Sequence, residues 1–199
     1  MNPGETALLC MDLQNDIVDP NGARGKGGNV QFVAQRNVLA NVRRAQDAAR
    51  EAGIVVAHVR VGYREDYADA IAVSPRFEGM KKVKGAILGT WGCEFPETVA
   101  PRPDEVIFTK QGVNPFFNSG LLTWLLHRGV CEVVLCGVST NMVVEASARY
   151  CDDAGLRETV LEDGCASNKQ EWHEFSVTQI LPMLGRVISV DDFTRELRQ

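Results

Sequence analysis

Six short apolar runs rich in β-branched residues recur along the chain, at residues 6–11, 54–61, 105–109, 132–136, 158–161 and 186–190. Each is too short to stand as a free helix and reads as a buried strand. Between them lie helical patterns at residues 38–52, 120–128, 140–154 and 171–184, followed by Gly53, Gly129, Gly155 and Gly185. Glycine just past a helix end is a stop signal, because it enters the left-handed region without the steric cost of a Cβ. Strands alternating with helices are joined by crossovers, and crossovers give parallel pairing. The pattern therefore predicts a three-layer α/β/α architecture around a mostly parallel, doubly wound sheet of about six strands, Rossmann-like in outline.

One domain over residues 1–199 accounts for the whole pattern, since roughly 150 residues make a domain and 45% hydrophobic content is enough for a core without staples. The 21 Lys and Arg against 26 Asp and Glu leave a net charge of −5 and no long basic run. That balance argues against a nucleic-acid or anionic-membrane binder and for a small-molecule partner. No segment approaches the roughly 18 apolar residues of a membrane span, and the N-terminus has no basic n-region, so a cytoplasmic location is expected. Six cysteines, Cys10, Cys93, Cys131, Cys136, Cys151 and Cys165, are scattered without a C-x-x-C or zinc spacing and read as reduced, packed thiols. The glycine-rich piece at residues 22–28 follows a polar loop and lacks both phosphate-loop spacings, and no cofactor is expected. The long segments 15–29 and 63–98 are of a length that covers a site or an interface.

Parallel sheets carry their sites at the carboxyl ends of the strands. The first run ends at Asp12, the third runs into Lys110, and the fourth leads through Gly137 and Ser139 to Thr140 or Asn141, either of which caps the next helix. An acid, a base and a helix start can thus meet in one crevice. Taken singly, an Asp at a strand end is a turn former, a lone Lys is a solvated charge and Thr-Asn is an ordinary cap.

Taken together, these segments resemble the isochorismatase-like hydrolases, the group that includes nicotinamidases, N-carbamoylsarcosine amidohydrolases and other members of the cysteine hydrolase superfamily. Residues 7–16 resemble the family's opening strand and acid, residues 89–92, 108–110 and 114–117 its central segment, and residues 136–149 its signature helix. The resemblance implies a frequent homodimer or homotetramer and a triad of Asp, Lys and Cys. Asp12 falls on the acid, Lys110 on the lysine, and the nucleophile position is occupied by Val143. Valine has no nucleophilic atom, so thiolate attack from that position is impossible. The resemblance also implies a cis peptide at Val138–Ser139 and an oxyanion hole made by the backbone N–H groups of Ser139 and Val143, which need no particular side chain. Ile17, Arg60, Tyr63, Trp91 and Phe116 are its candidate substrate contacts. The Asp and two His that hold metal in nicotinamidases have no counterparts after His58; His58 reads as a packed histidine, His127 and His173 have no partners at ligand spacing, and no metal site is expected.

Two functions stay open. In true isochorismatases, which also lack the cysteine, the acid protonates a vinyl ether, water adds to the cation and pyruvate leaves. Those relatives carry a small glycine where Val143 stands and a glutamine where this chain has Arg60, which points to another substrate. The first reading is thus a thiol-independent hydrolase acting on a small carboxylate- or amide-bearing molecule with Asp12 and Lys110. The other is a non-catalytic ligand-binding protein on a retired cysteine-hydrolase scaffold.

Overall fold

The computed structural model describes residues 1–71 and 73–199. Its sheet has six strands: β1 (Thr6–Met11), β2 (Val55–Val61), β3 (Val106–Lys110), β4 (Glu132–Val138), β5 (Arg157–Ala166) and β6 (Arg186–Ile188). They lie in the order β3-β2-β1-β4-β5-β6, and every pairing is parallel. All six residues of β1 are buried, as expected for the central strand, whereas β3 and β6 at the edges are only partly covered. The chain lays β2 and β3 on one side of β1 and then returns to lay β4, β5 and β6 on the other. This reversal opens a crevice between the carboxyl ends of β1 and β4, because the connections leave those two ends in opposite directions.

One close approach defines the crevice floor. Gly137 of β4 is in register with Met11 of β1, at φ +132°, and a Cβ built there would lie 2.0 Å from the Met11 carbonyl oxygen. Only glycine permits that backbone course immediately before the turn that faces Asp12.

The crossover helices cover both faces of the sheet. In α3 (Val38–Glu51), Val38, Val42, Ala45 and Ala49 recur at helical spacing and are buried. This face packs against β2, β5 and α8 (Val190–Leu197), while α6 (Glu145–Asp153) packs against β4 and β5. After α3, α5 (Leu121–His127) and α6, the residues Gly53, Gly129 and Gly155 take positive φ, as their placement predicts. Gly185 does not, and its lack of a side chain serves instead to let it lie against the Glu158 carbonyl, 2.3 Å from where a Cβ would be. The helix expected at 171–184 is also broken, into α7 (Gln170–Phe175), a π-turn at Ser176–Ile180 and a 3₁₀ turn at Leu181–Met183, where Pro182 withholds a backbone donor.

The two long segments carry helices of their own. They contain α1 (Asn15–Val18), the start of α2 (Gly28–Gln35) and α4 (Pro75–Lys82). The last begins with a Ser74 hydroxyl accepting from the Phe77 N–H and with Pro75 in the first turn, a start signal of ordinary chemistry.

Beneath α3 the sheet buries a charged cluster. The Glu105 carboxylate accepts from Arg50 Nε at 2.7 Å and Nη2 at 2.9 Å, lies 3.0 Å from His58 Nε2, and takes the Arg102 N–H at 2.9 Å. Burial works against its ionisation, but His58, Arg50 and Arg102 outweigh burial and hold the carboxyl down at about 2. His58 is thereby accounted for as a hydrogen-bonded residue of the core. A carboxyl depressed in the folded state contributes stability above its ordinary value of 4.5 and loses that contribution as pH falls toward about 2. Urea unfolding of Glu105→Ala at neutral pH is expected to show a loss of about 3–5 kcal/mol, the cost of stranding a buried cation. The variant is also expected to show a smaller acid-dependent loss across that window than the wild type, the remainder coming from other depressed carboxyls such as Glu162.

Candidate active site

Asp12 is the first residue beyond β1. It takes φ +56°, which swings the chain off the strand axis, while its N–H still donates to the Val59 carbonyl of β2 at 2.8 Å. Lys110 closes β3, paired in register with Val61. β3 lies two strands from β1, roughly 10 Å away, and the long lysine stem spans that gap. Its Nζ donates to Asp12 Oδ2 at 2.8 Å and to the Gly112 carbonyl at 3.1 Å. Both side chains are buried, and the second oxygen of Asp12, Oδ1, has no hydrogen-bond partner among the described residues. Burial pushes the Asp12 carboxyl above its ordinary 3.8, against the opposing pull of Lys110.

Across the crevice the chain leaves β4 through a cis Val138–Ser139 peptide and a π-turn at Thr140–Val144 before α6 begins. The Ser139 carbonyl accepts from the Met142 and Val144 amides, leaving the Val143 amide outside that pair. The turn is held from behind by side chains. Thr140 Oγ1 lies 2.8 Å from His173 Nδ1, and the far nitrogen of His173 lies 3.8 Å from Glu162, which is gripped by Arg36 at 2.7 Å. On the cleft side the Ser139 hydroxyl donates to Asn29 Oδ1 at 2.9 Å.

Asp12, Lys110, Ser139 and Val143 all line one open cleft of about 250 Å³. At about 30 Å³ per water this equals roughly eight waters, which suits a small molecule. Ile17 lines it too. The other candidate contacts lie elsewhere. The Arg60 guanidinium is used on Thr109 Oγ1 and the Cys93 carbonyl, and Tyr63 is wholly buried, its hydroxyl on the Gln111 carbonyl and its ring against Tyr67 and Phe77. Trp91 is exposed outside the cleft, and Phe116 stacks on Tyr150 with ring centroids 4.7 Å apart.

The cleft also recruits residues that sequence reasoning passed over: Arg24, Asn29, Arg76, Met80, Asn168 and Trp172. The Ser74-Pro75 start of α4 was a legible signal for Arg76. Arg24 had none, since it sits in the glycine-rich piece, where Gly22 packs so closely that a Cβ would fall 2.2 Å from the Asn15 carbonyl. Among the described residues, no cysteine lines the cleft. Burial lifts the Cys93 thiol to about 11 and that of Cys165 to about 12. Cys10 and Cys136 face one another deep between β1 and β4.

A sequence profile described as "Isochorismatase domain" matches residues 6–192. The chain belongs to the isochorismatase family. Among the relatives of this isochorismatase-family protein is the ureidoacrylate amidohydrolase RutB of Rhizobium rhizogenes, 27% identical over 212 residues that cover 100% of this chain and 86% of the relative. Another is the uncharacterized isochorismatase family protein YecD of Escherichia coli O157:H7, 30% identical over 200 residues, 99% of this chain and 98% of the relative. The crystal structure of a cysteine hydrolase from Pseudomonas syringae pv. phaseolicola superposes with a TM-score of 0.87 at 23% identity, covering 100% of this chain and 94% of that one. It shows the same fold.

In this member of the family the two long segments are tied together by Asp16. Its Oδ1 accepts from the Ala23 N–H at 2.8 Å and its Oδ2 from the Ala86 N–H at 2.7 Å. Asn at position 16 would turn a donor toward one of those amides. Asp16→Asn is expected to cost about 1–3 kcal/mol in chemical unfolding, and amide hydrogen exchange is expected to speed up at Ala23 or Ala86.

Proposed function

We propose that this isochorismatase-family protein hydrolyses a small carboxylate- or amide-bearing molecule without a thiol, using Asp12 as the proton-carrying group and Lys110 as its electrostatic partner. The state of Asp12 carries the reading. It is a carboxyl buried at the wall of an open cleft, with one oxygen on Lys110 and the other unpartnered among the described residues, and burial pushes its pKa above the ordinary 3.8. That combination is typical of a general acid rather than of a structural ion pair. Val143 supplies a methyl-lined wall where a nucleophile would otherwise stand, so the attacking group is water. Ser139 and Val143 line the same cleft, and their backbone amides are the donors assigned to a developing oxyanion.

The reaction that suits an acid best is hydrolysis of a vinyl-ether type of bond. The Asp12 proton goes to the terminal alkene carbon, and water adds to the resulting oxocarbenium carbon and returns a proton to Asp12. The hemiketal then breaks into a carbonyl compound and an alcohol. An amide or ureide would use the same acid on its leaving nitrogen; the relative named as a ureidoacrylate amidohydrolase makes that class part of the screen.

A panel of vinyl ethers, amides and ureides tests the reading. Asp12→Asn is expected to lower kcat/KM about 10²–10⁴-fold, and Lys110→Ala to lower it comparably. Because the acid must be protonated, kcat/KM is expected to fall as pH rises through a midpoint above the ordinary 3.8 of an aspartate. Alkylation of accessible cysteines is expected to leave turnover unchanged. Turnover indifferent to both Asp12→Asn and Lys110→Ala would sink the assignment. The buried Val143 favours the alternative of a retired binding protein, which predicts a ligand-induced rise in Tm with no turnover on any member of the panel.

A further inference from the structure

The cleft carries more positive charge than its acid can balance. Arg24, from the loop between α1 and α2, and Arg76, from the first turn of α4, line it together with Lys110, against the single carboxylate of Asp12. Even with Asp12 ionised, two positive charges are in surplus here, in a chain whose net charge is −5. Lys110 is committed to Asp12, but among the described residues neither Arg24 nor Arg76 makes a salt bridge to any acid. The two guanidiniums also feel each other, since burial and then the neighbouring Arg76 charge hold the Arg24 pKa below its ordinary value. The Arg76 charge reaches Asp12 as well, and both arginines line the same cleft as the acid.

Like charges gathered without a counter-charge are costly, and here the gathering is enforced by structure. Asp16 uses both carboxylate oxygens on backbone N–H groups of the two long segments and so spends none on Arg24. Around the arginines the polar groups of the cleft wall are neutral: Asn29, Asn141, Asn168 and Ser139. A guanidinium pair of this kind is matched by a planar or tetrahedral oxyanion, which accepts two parallel N–H bonds from each fork.

We propose that Arg24 and Arg76 form an oxyanion-recognition subsite that selects a small dianionic substrate, a carboxylate or phosphate group being held between the two guanidiniums while the reacting bond lies at Asp12. The subsite rests on the same cleft being the place of reaction, and it assigns specificity to two residues that take no part in the proton transfer. An anion bound there relieves the repulsion between the arginines, so binding weakens with rising ionic strength.

Isothermal titration calorimetry with succinate, inorganic phosphate, acetate and the neutral succinamide tests the subsite on the full chain. Succinate or phosphate is expected to bind at least tenfold more tightly than acetate, with succinamide not binding, and the tighter of the two dianions names the oxyanion class. Arg24→Gln and Arg76→Gln are each expected to weaken the better dianion at least tenfold, and the double variant to abolish its binding, with the Tm of the unliganded variants equal to or above that of the wild type. Arg24→Lys and Arg76→Lys keep the charge but lose the fork, and are expected to fall between wild type and the Gln variants. Equal dianion binding by wild type and double variant, or succinamide binding as tightly as succinate, overturns the subsite. Asp12→Asn separates the two conclusions, because it is expected to retain dianion binding. If Asp12→Asn also retains turnover while the arginine variants lose the anion, the hydrolytic role of Asp12 fails and the subsite stands. If the arginine variants keep dianion binding while turnover still requires Asp12, the subsite fails and the hydrolase reading stands.

Discussion

The contact between Lys110 and Asp12 spans the β2 strand and depends on everything that sets the sheet. A buried ion pair gives little net stability, because desolvation of both charges offsets their attraction. The pair persists here because register leaves no alternative: β3 ends in line with Val61 of β2, and Asp12 is anchored by its own N–H to Val59. The same sheet holds a second buried carboxylate, Glu105, and the comparison is instructive. Glu105 receives hydrogen bonds from Arg50 and Arg102 and faces His58, which hold its carboxyl down; Asp12 receives one bond, from Lys110, and burial pushes its carboxyl up. The two acids are driven in opposite directions, Asp12 upward by its deeper burial and Glu105 downward by its several partners. The well-partnered one stabilises the fold, and the poorly partnered one faces the open cleft.

The rest of the cleft is built by loops that the sheet does not control directly. Asp16 bridges the segment after β1 to the segment after β2 through two backbone N–H groups, and close glycine packing presses the first of these onto the strand exit. This is how a protein can hold Arg24 and Arg76 near one another. The like charges are only two, the Ala86 bond of Asp16 is buried and its Ala23 bond half-buried, and a buried acceptor that loses its donor costs more than a surface ion pair returns.

Residues that leave strands were the most legible part of the site. Asp12, Lys110, Ser139 and Val143 each stand at the carboxyl end of a short apolar run or just past it, and a parallel sheet brings such ends to one edge whatever the loops do. Arg60 and Tyr63 were less legible because a one-residue difference along a strand changes the face. Val61 lines the cleft, so Arg60 beside it points to the other side of β2, where Thr109 and the Cys93 carbonyl take up its guanidinium. Tyr63 lies on the cleft side of that alternation but is sealed beneath Tyr67 and Phe77. Phe116 and Trp91 belong to segments near the site, yet nearness in sequence does not fix which way a ring turns.

The amino-acid sequence by itself determined the strand and helix alternation, the parallel sheet, the acid and lysine at its edge, and the absence of a nucleophile at position 143. The first three follow from local periodicity and from the rule that strand ends converge; the last follows from the resemblance of residues 136–149 to the family's signature helix. Only the tertiary structure decided that, among the described residues, Asp12 keeps an unpartnered oxygen and no thiol reaches the cleft, and that Arg24 and Arg76, 52 positions apart in the chain, share its wall. Partner counts and burial are properties of packing between segments distant in sequence, and no local pattern of residues encodes them.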